Sequence, residues 1–205
     1  MRTRLKSLTR SLKQLLTAVA SRACATGSPD RLVHSFFQHG AQYYVAGRCA
    51  VFAGLMPVAG NLLHHAIEML LKGALAKGMT SEKLKDKLGH RLRRAWKAFK
   101  ERASDPKLDR FDRVVRELDK FESIRYPDEL VRQGASISFD VTKAGAAQSS
   151  FQPGSVPHYA LCLEEIDELV ATIFQLASRN PKAYLSFVKP EALDYINRDN
   201  AHITL

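Results

Sequence analysis

Residues 61–75 read NLLHHAIEMLLKGAL, and the fold follows from how this stretch is divided between core and surface. Leu62, Leu63, Ala66, Ile67, Leu70 and Leu71 recur at helical spacing and form one apolar stripe, which predicts a helix from about 60 to 77 closed by Gly78. On the same turns His65, Glu68 and Lys72 follow at i, i+3 and i+7, with Glu68 and Lys72 at the favourable i,i+4 ion-pair spacing and His64 near the stripe's border. That second stripe reads either as a solvated face with one helix-stabilising pair or as part of a site. A zinc site on one helix wants H-E-x-x-H or a second pair of ligands, and the neighbouring sequence supplies neither, so no metal and no cofactor is assigned.

Upstream, residues 30–56 (DRLVHSFFQHGAQYYVAGRCAVFAGLM) are apolar round most of a helix and nearly uncharged, as expected in the middle of a bundle. Pro57 and Gly60 end that helix or hold a tight turn, which makes it an antiparallel neighbour of the helix that follows. Downstream, Ser81 reads as a cap and Gly89 as an interruption. Leu92, Trp96 and Phe99 then define a helix from about 90 to 103, and Leu108, Phe111, Val115, Leu118 and Phe121 a fourth one closed by Pro127. Residues 127–157 turn rich in Gly, Ser and Ala, with SISFDVT (136–142) suggesting one strand that could pair only as a hairpin. Helical period returns from Tyr159 to Ala177, and the tail reads as a short turn or helix with an exposed end. The expected class is all-α: an up-and-down bundle of four or five helices. The divisions are a basic amphipathic extension (1–29), the bundle (30–180, with the 127–157 excursion) and a C-terminal tail (181–205).

The net charge of +10 is concentrated. Residues 72–107 carry twelve basic groups against four acidic ones, and residues 1–30 six against one, whereas residues 108–205 are net acidic. Such blocks attract phosphate, anionic lipid or an acidic protein. The N-terminal extension reads as an organelle transit peptide, an arm for nucleic acid or membrane, or an ordinary first helix. In the second block Arg91, Arg93, Arg94 and Lys97 are candidates for phosphate contact. Trp96 and Phe99 could stack on bases but lie at core spacing. The acidic run EEIDE (164–168) reads as a polar helix face where a basic partner or the protein's own basic block could dock. Three widely spaced cysteines and no C-x-x-C argue against a disulfide framework or a zinc ribbon and fit a reducing, cytoplasmic setting. No run of about 18 apolar residues predicts a membrane span. P-loop, G-x-S-x-G and G-x-G-x-x-G patterns are absent from the sequence.

Three stretches together, residues 46–75, LGHRLRRAW (88–96) and LDKFESIRYPDE (118–129), resemble the HEPN superfamily of small helical bundles. The resemblance rests on Glu68 four residues before Lys72, on Gly89, His90 and Leu92 opening the next helix, and on Arg125, Tyr126 and Pro127 at the end of the fourth; it covers about residues 35–180. It implies an often dimeric bundle in a superfamily known for RNA-directed work in defence, toxin–antitoxin pairs and RNA processing. Nuclease members carry an Arg, four to six residues, then a His, paired across a dimer for metal-independent cleavage. No His here has an Arg at that spacing; the nearest, Arg198 and His202, are separated by three residues. No catalytic residue is carried over. The expectation is a binding module for RNA, a nucleotide or a protein partner, with Glu68, Lys72, His90, Arg125 and Tyr126 converging: Lys72 and Arg125 on phosphate, His90 and Tyr126 as hydrogen-bonding groups, Glu68 as the orienting carboxylate. The alternatives are an internal network fixing helix ends, a ribonuclease with a displaced histidine (His90 or His158), and a structural or antitoxin-like bundle.

Overall fold

The computed structural model describes residues 29–144 and 156–203; the N-terminal extension and the middle of the 127–157 excursion lie outside the described residues. The described chain is helical but for one pair of strands. Helices α1 (Pro29–Phe52) and α2 (Met56–Ala76) are the longest. They are followed by α3 (Ser81–Leu88), α4 (Leu92–Ala103), α5 (Asp112–Lys120) and α6 (Pro127–Gln133). Strands β1 (Ser136–Asp140) and β2 (His158–Cys162) precede α7 (Leu163–Leu176), α8 (Pro181–Leu185) and α9 (Pro190–Asn197). Short 3-10 turns, Pro106–Phe111 and Phe121–Ile124, flank α5. No helix among the described residues is long and apolar enough to cross a membrane.

The stretch at 61–75 is the axis of the fold. Leu63, Ala66, Ile67, Leu70 and Leu71 are fully buried, and α2 packs against α1, α4, α7 and the 3-10 turn at Phe121. Pro57 lies in the first turn of α2, where its missing N–H costs nothing, so it starts the second helix and does not end the first. Helices α1 and α2 run antiparallel and close together: a Cβ built on Gly40 or Gly47 would lie 2.7–2.8 Å from the side chains of Leu70 or Leu63, and Gly73 faces Phe37 in the same way. Gly60 is tighter still, with the Phe121 ring 2.1 Å from where a Cβ would sit.

Four local expectations are corrected. Thr80, not Ser81, caps α3, its hydroxyl accepting from the Lys83 N–H at 3.3 Å. Pro127 opens α6 where closure of a helix is expected. Strand β1 pairs not as a hairpin but in parallel with β2, Ile137 opposite Tyr159 and Phe139 opposite Leu161. That pairing takes Tyr159–Cys162 out of the last long helix, which begins at Leu163; four apolar residues satisfy either period, and the β1 edge decides between them. Within the tail Tyr184, Leu185, Ile196 and Ile203 are buried against the rest of the core, and its last two residues lie outside the described residues.

Candidate functional site

Two groups of polar residues are buried in this core, and α2 carries the first. Glu68 is 1% exposed and Lys72 6% exposed. Because α2 is covered on several sides, the stripe that reads as a solvated face is interior. Lys72 Nζ donates to Glu68 Oε1 at 2.6 Å, and His90 Nδ1, from the turn between α3 and α4, lies 3.1 Å from the same oxygen. The other oxygen, Oε2, is 3.2 Å from His65 Nδ1. Burial alone would raise the Glu68 carboxyl, but the hydrogen bonds from His65 and Lys72 and the charge of Lys72 outweigh it and hold the pKa at about 2. Glu68 is thus an anion at any physiological pH, and the ammonium of Lys72 is already engaged.

His64 extends the group inward. Its side chain is fully buried, and Nδ1 lies 3.0 Å from the Leu118 carbonyl, so that nitrogen carries the proton and Nε2 keeps a lone pair. Nε2 makes no hydrogen bond; Glu122 Oε2 lies 3.7 Å away and is itself buried without a partner. Burial, more than any neighbouring charge, holds the His64 pKa below its ordinary value and keeps the ring neutral. Arg125 reaches Glu122 Oε1 at 3.6 Å, and its guanidinium sits 5.7 Å from the ring centre of Tyr126, which is 66% exposed. Of the five residues expected to converge, Glu68, Lys72 and His90 meet directly. Arg125 joins only through Glu122 and His64, and Tyr126 stands outside. Lys72 is consumed by Glu68, so it has no free ammonium for phosphate.

The basic candidates form a different feature. Arg91, Arg93, Arg94 and Lys97 line one groove of about 770 Å³ between α4 and α5, together with Lys100, Arg116 and three carboxylates, Glu101, Asp112 and Asp119; Lys97 Nζ lies 3.9 Å from Glu101. Among the described residues no carboxylate lies within 4 Å of the guanidinium groups of Arg91, Arg93, Arg94 or Arg116, whereas Lys100 is paired to Asp109 and Asp112. Trp96 is 4% exposed, stacks on Phe99 and donates to Asp112 Oδ1 at 2.6 Å. It belongs to the core and does not offer a face to a base. The acidic run on α7 is engaged within the chain: Glu165 pairs with Arg113 at 2.6 Å, and Glu168 with Arg110 at 3.0 Å and Lys143 at 2.5 Å.

The second buried group escapes the sequence reading. Arg48 and Asp167, both 0% exposed, form an ion pair between α1 and α7. Tyr44 donates to the second carboxylate oxygen at 2.6 Å; Arg48 also donates to the backbone carbonyls of Tyr195, at 2.8 Å, and Arg198. Asn200 donates to Tyr44 Oη at 3.0 Å, and its Oδ1 accepts from the N–H groups of His202 and Ile203. Burial raises the Asp167 carboxyl above its usual range against the pull of Arg48. All four side chains are hydrogen-bonded, which fits a device that fastens the C-terminal segment to the bundle. Its one signal in the sequence is Arg48, a lone charge among apolar turns after Asp30 and Arg31 at the start of α1.

No protein-family model, no curated protein and no solved structure matches this chain.

Proposed function

We propose that this chain is a HEPN-like helical bundle that binds RNA through the groove between α4 and α5. One observation carries the reading. Four arginines that are 91, 93, 94 and 116 in the sequence share one groove without a carboxylate partner among the described residues, beside a buried Trp96 that fixes the helix beneath them. Guanidinium groups without internal partners are suited to phosphate, which they contact through paired N–H donors. The test is a titration with single-stranded RNA at several salt concentrations. Three or four phosphate contacts give a slope of log K against log salt of roughly −2 to −3, and Arg93→Ala and Arg94→Ala each reduce its size by about 0.7. Absence of binding at low salt, or a slope unchanged in both variants, overturns the proposal.

The His90–Glu68 pair favours a second reading, metal-independent RNA cleavage. The buried carboxylate orients an imidazole that is 71% exposed and borders a cleft of about 350 Å³ with Lys72, Lys85 and Gly89. With Nδ1 on Glu68, Nε2 faces outward with a lone pair for a 2′-hydroxyl proton. RNA cleaved in excess chelator by the wild type and left intact by His90→Ala supports this reading; RNA intact after long incubation with the wild type at high concentration eliminates it.

A further inference from the structure

We propose that the inner end of the α2 polar group is a binding site for a divalent transition metal, zinc in the first place, with His64 and Glu122 as its anchoring ligands and His65 and Glu68 completing the shell. This is independent of RNA binding at the α4–α5 groove. The anchoring pair stands at a distance that suits a shared ion. His64 Nε2 and Glu122 Oε2 are both buried, both without a hydrogen bond, and 3.7 Å apart. A direct hydrogen bond needs about 2.7–3.2 Å. One water bonded to both at a tetrahedral angle would separate them by about 4.5 Å. An ion about 2.1 Å from each closes the gap at an N–metal–O angle of roughly 125°, and a shift of a few tenths of an ångström brings that to tetrahedral.

The remaining ligands lie on the same two turns of α2. One donor atom from each of His64, His65 and Glu68 falls within 4.8 Å of the others. Lys72 and His90 occupy Glu68 Oε1, so Glu68 offers Oε2. His64 has the support that metal-bound imidazoles show: its far nitrogen donates to a backbone carbonyl, which fixes the tautomer and points Nε2 at the ion. Two carboxylates supply the negative charge that a divalent ion requires. To the His64, His65 and Glu68 group, Glu122 from the 3-10 turn Phe121–Ile124 adds a carboxylate that reaches His64 at 3.7 Å but stands outside the 4.8 Å group, so its side chain must move inward to join the shell.

The test uses the full chain stripped with chelator and titrated with zinc against a chromophoric competitor, then with cobalt(II), whose visible bands report tetrahedral nitrogen and oxygen ligation. One equivalent is expected to bind with a micromolar or tighter dissociation constant and to raise the melting temperature. Glu122→Gln, at a side chain 35% exposed and so tolerant of change, weakens binding at least tenfold. His64→Asn places an amide N–H near the Leu118 carbonyl but removes Nε2, and abolishes binding. Folding of both variants is verified by circular dichroism. Failure of the wild type to bind zinc overturns the proposal, as does binding of equal strength in a folded Glu122→Gln protein, which would place the ion on other histidines.

Discussion

Removing either partner of the Arg48–Asp167 pair destabilises the fold, but not by the same amount. In Asp167→Leu the guanidinium, fully buried, is left with the Tyr195 and Arg198 carbonyls alone, and Tyr44 loses its acceptor. Arginine cannot shed its charge, so the full penalty of a broken buried pair applies, about 3–5 kcal/mol. Unfolding by urea should show that loss across neutral pH, and at about 2–4 °C per kcal/mol for a chain of this size the melting temperature drops by roughly 6–20 °C. Arg48→Met leaves a carboxylate instead. Burial already raises the Asp167 pKa, and without Arg48 to oppose it the carboxyl takes up a proton on folding. The sign follows from linkage: a raised folded pKa contributes stability that is complete below the unfolded value, about 3.9, and is lost as pH rises through the folded value. Arg48→Met is therefore the milder variant in mild acid, and its deficit grows on going to neutral pH by up to about 1.4 kcal/mol per pH unit. The double variant, with neither charge to bury, costs less than the sum of the singles. In all three, hydrogen exchange should quicken at residues 190–203, which Arg48 and Asn200 fasten. Equal, pH-independent losses in the two single variants, or a loss below about 1 kcal/mol in either, would refute the reasoning.

Glu68 gives a pH limb of opposite sign. Its carboxyl is lowered from 4.5 to about 2, so its contribution is complete above pH 4.5 and is lost as the pH falls toward 2; at 1.36 kcal/mol per pH unit it amounts to at most about 3 kcal/mol. Urea midpoints of chelator-treated protein should fall through that range in the wild type, and Glu68→Gln should flatten this limb. Gly60→Ala tests the close approach of Phe121. A methyl 2.1 Å from ring carbons has no room, so a helix-propensity gain of about 1 kcal/mol is overridden by overpacking of about 1–3 kcal/mol. The variant should be less stable by up to about 2 kcal/mol, with part of the loss regained in Gly60→Ala/Phe121→Leu; a more stable Gly60→Ala would show that the ring moves freely.

What the sequence makes legible is what repeats along it. The apolar stripe of 61–75 and the largely apolar circumference of α1 define two helices, and Gly40, Gly47 and Gly73 lie where those helices touch. The strand at 158–162 is hidden, because Tyr159 to Cys162 carry no period of their own and acquire one from a partner 22 residues upstream in register. The same holds for the sites. Glu68 and Lys72 can be paired on paper because four residues separate them. Arg48 and Asp167 are 119 residues apart, and His64 and Glu122 are joined only because Gly60 lets Phe121 lie against α2. Such pairs leave one trace, a charged or titratable side chain on a helix face that packing must bury. A lone Arg48 between apolar turns, with no acid within a helical turn on either side, implies a carboxylate from elsewhere in the fold, since a guanidinium cannot be buried neutral. His64 on the edge of the α2 stripe makes a weaker demand, because a neutral imidazole needs only one acceptor for its N–H and one partner for its lone pair; the Leu118 carbonyl meets the first, and Nε2 facing Glu122 leaves the second to a ligand.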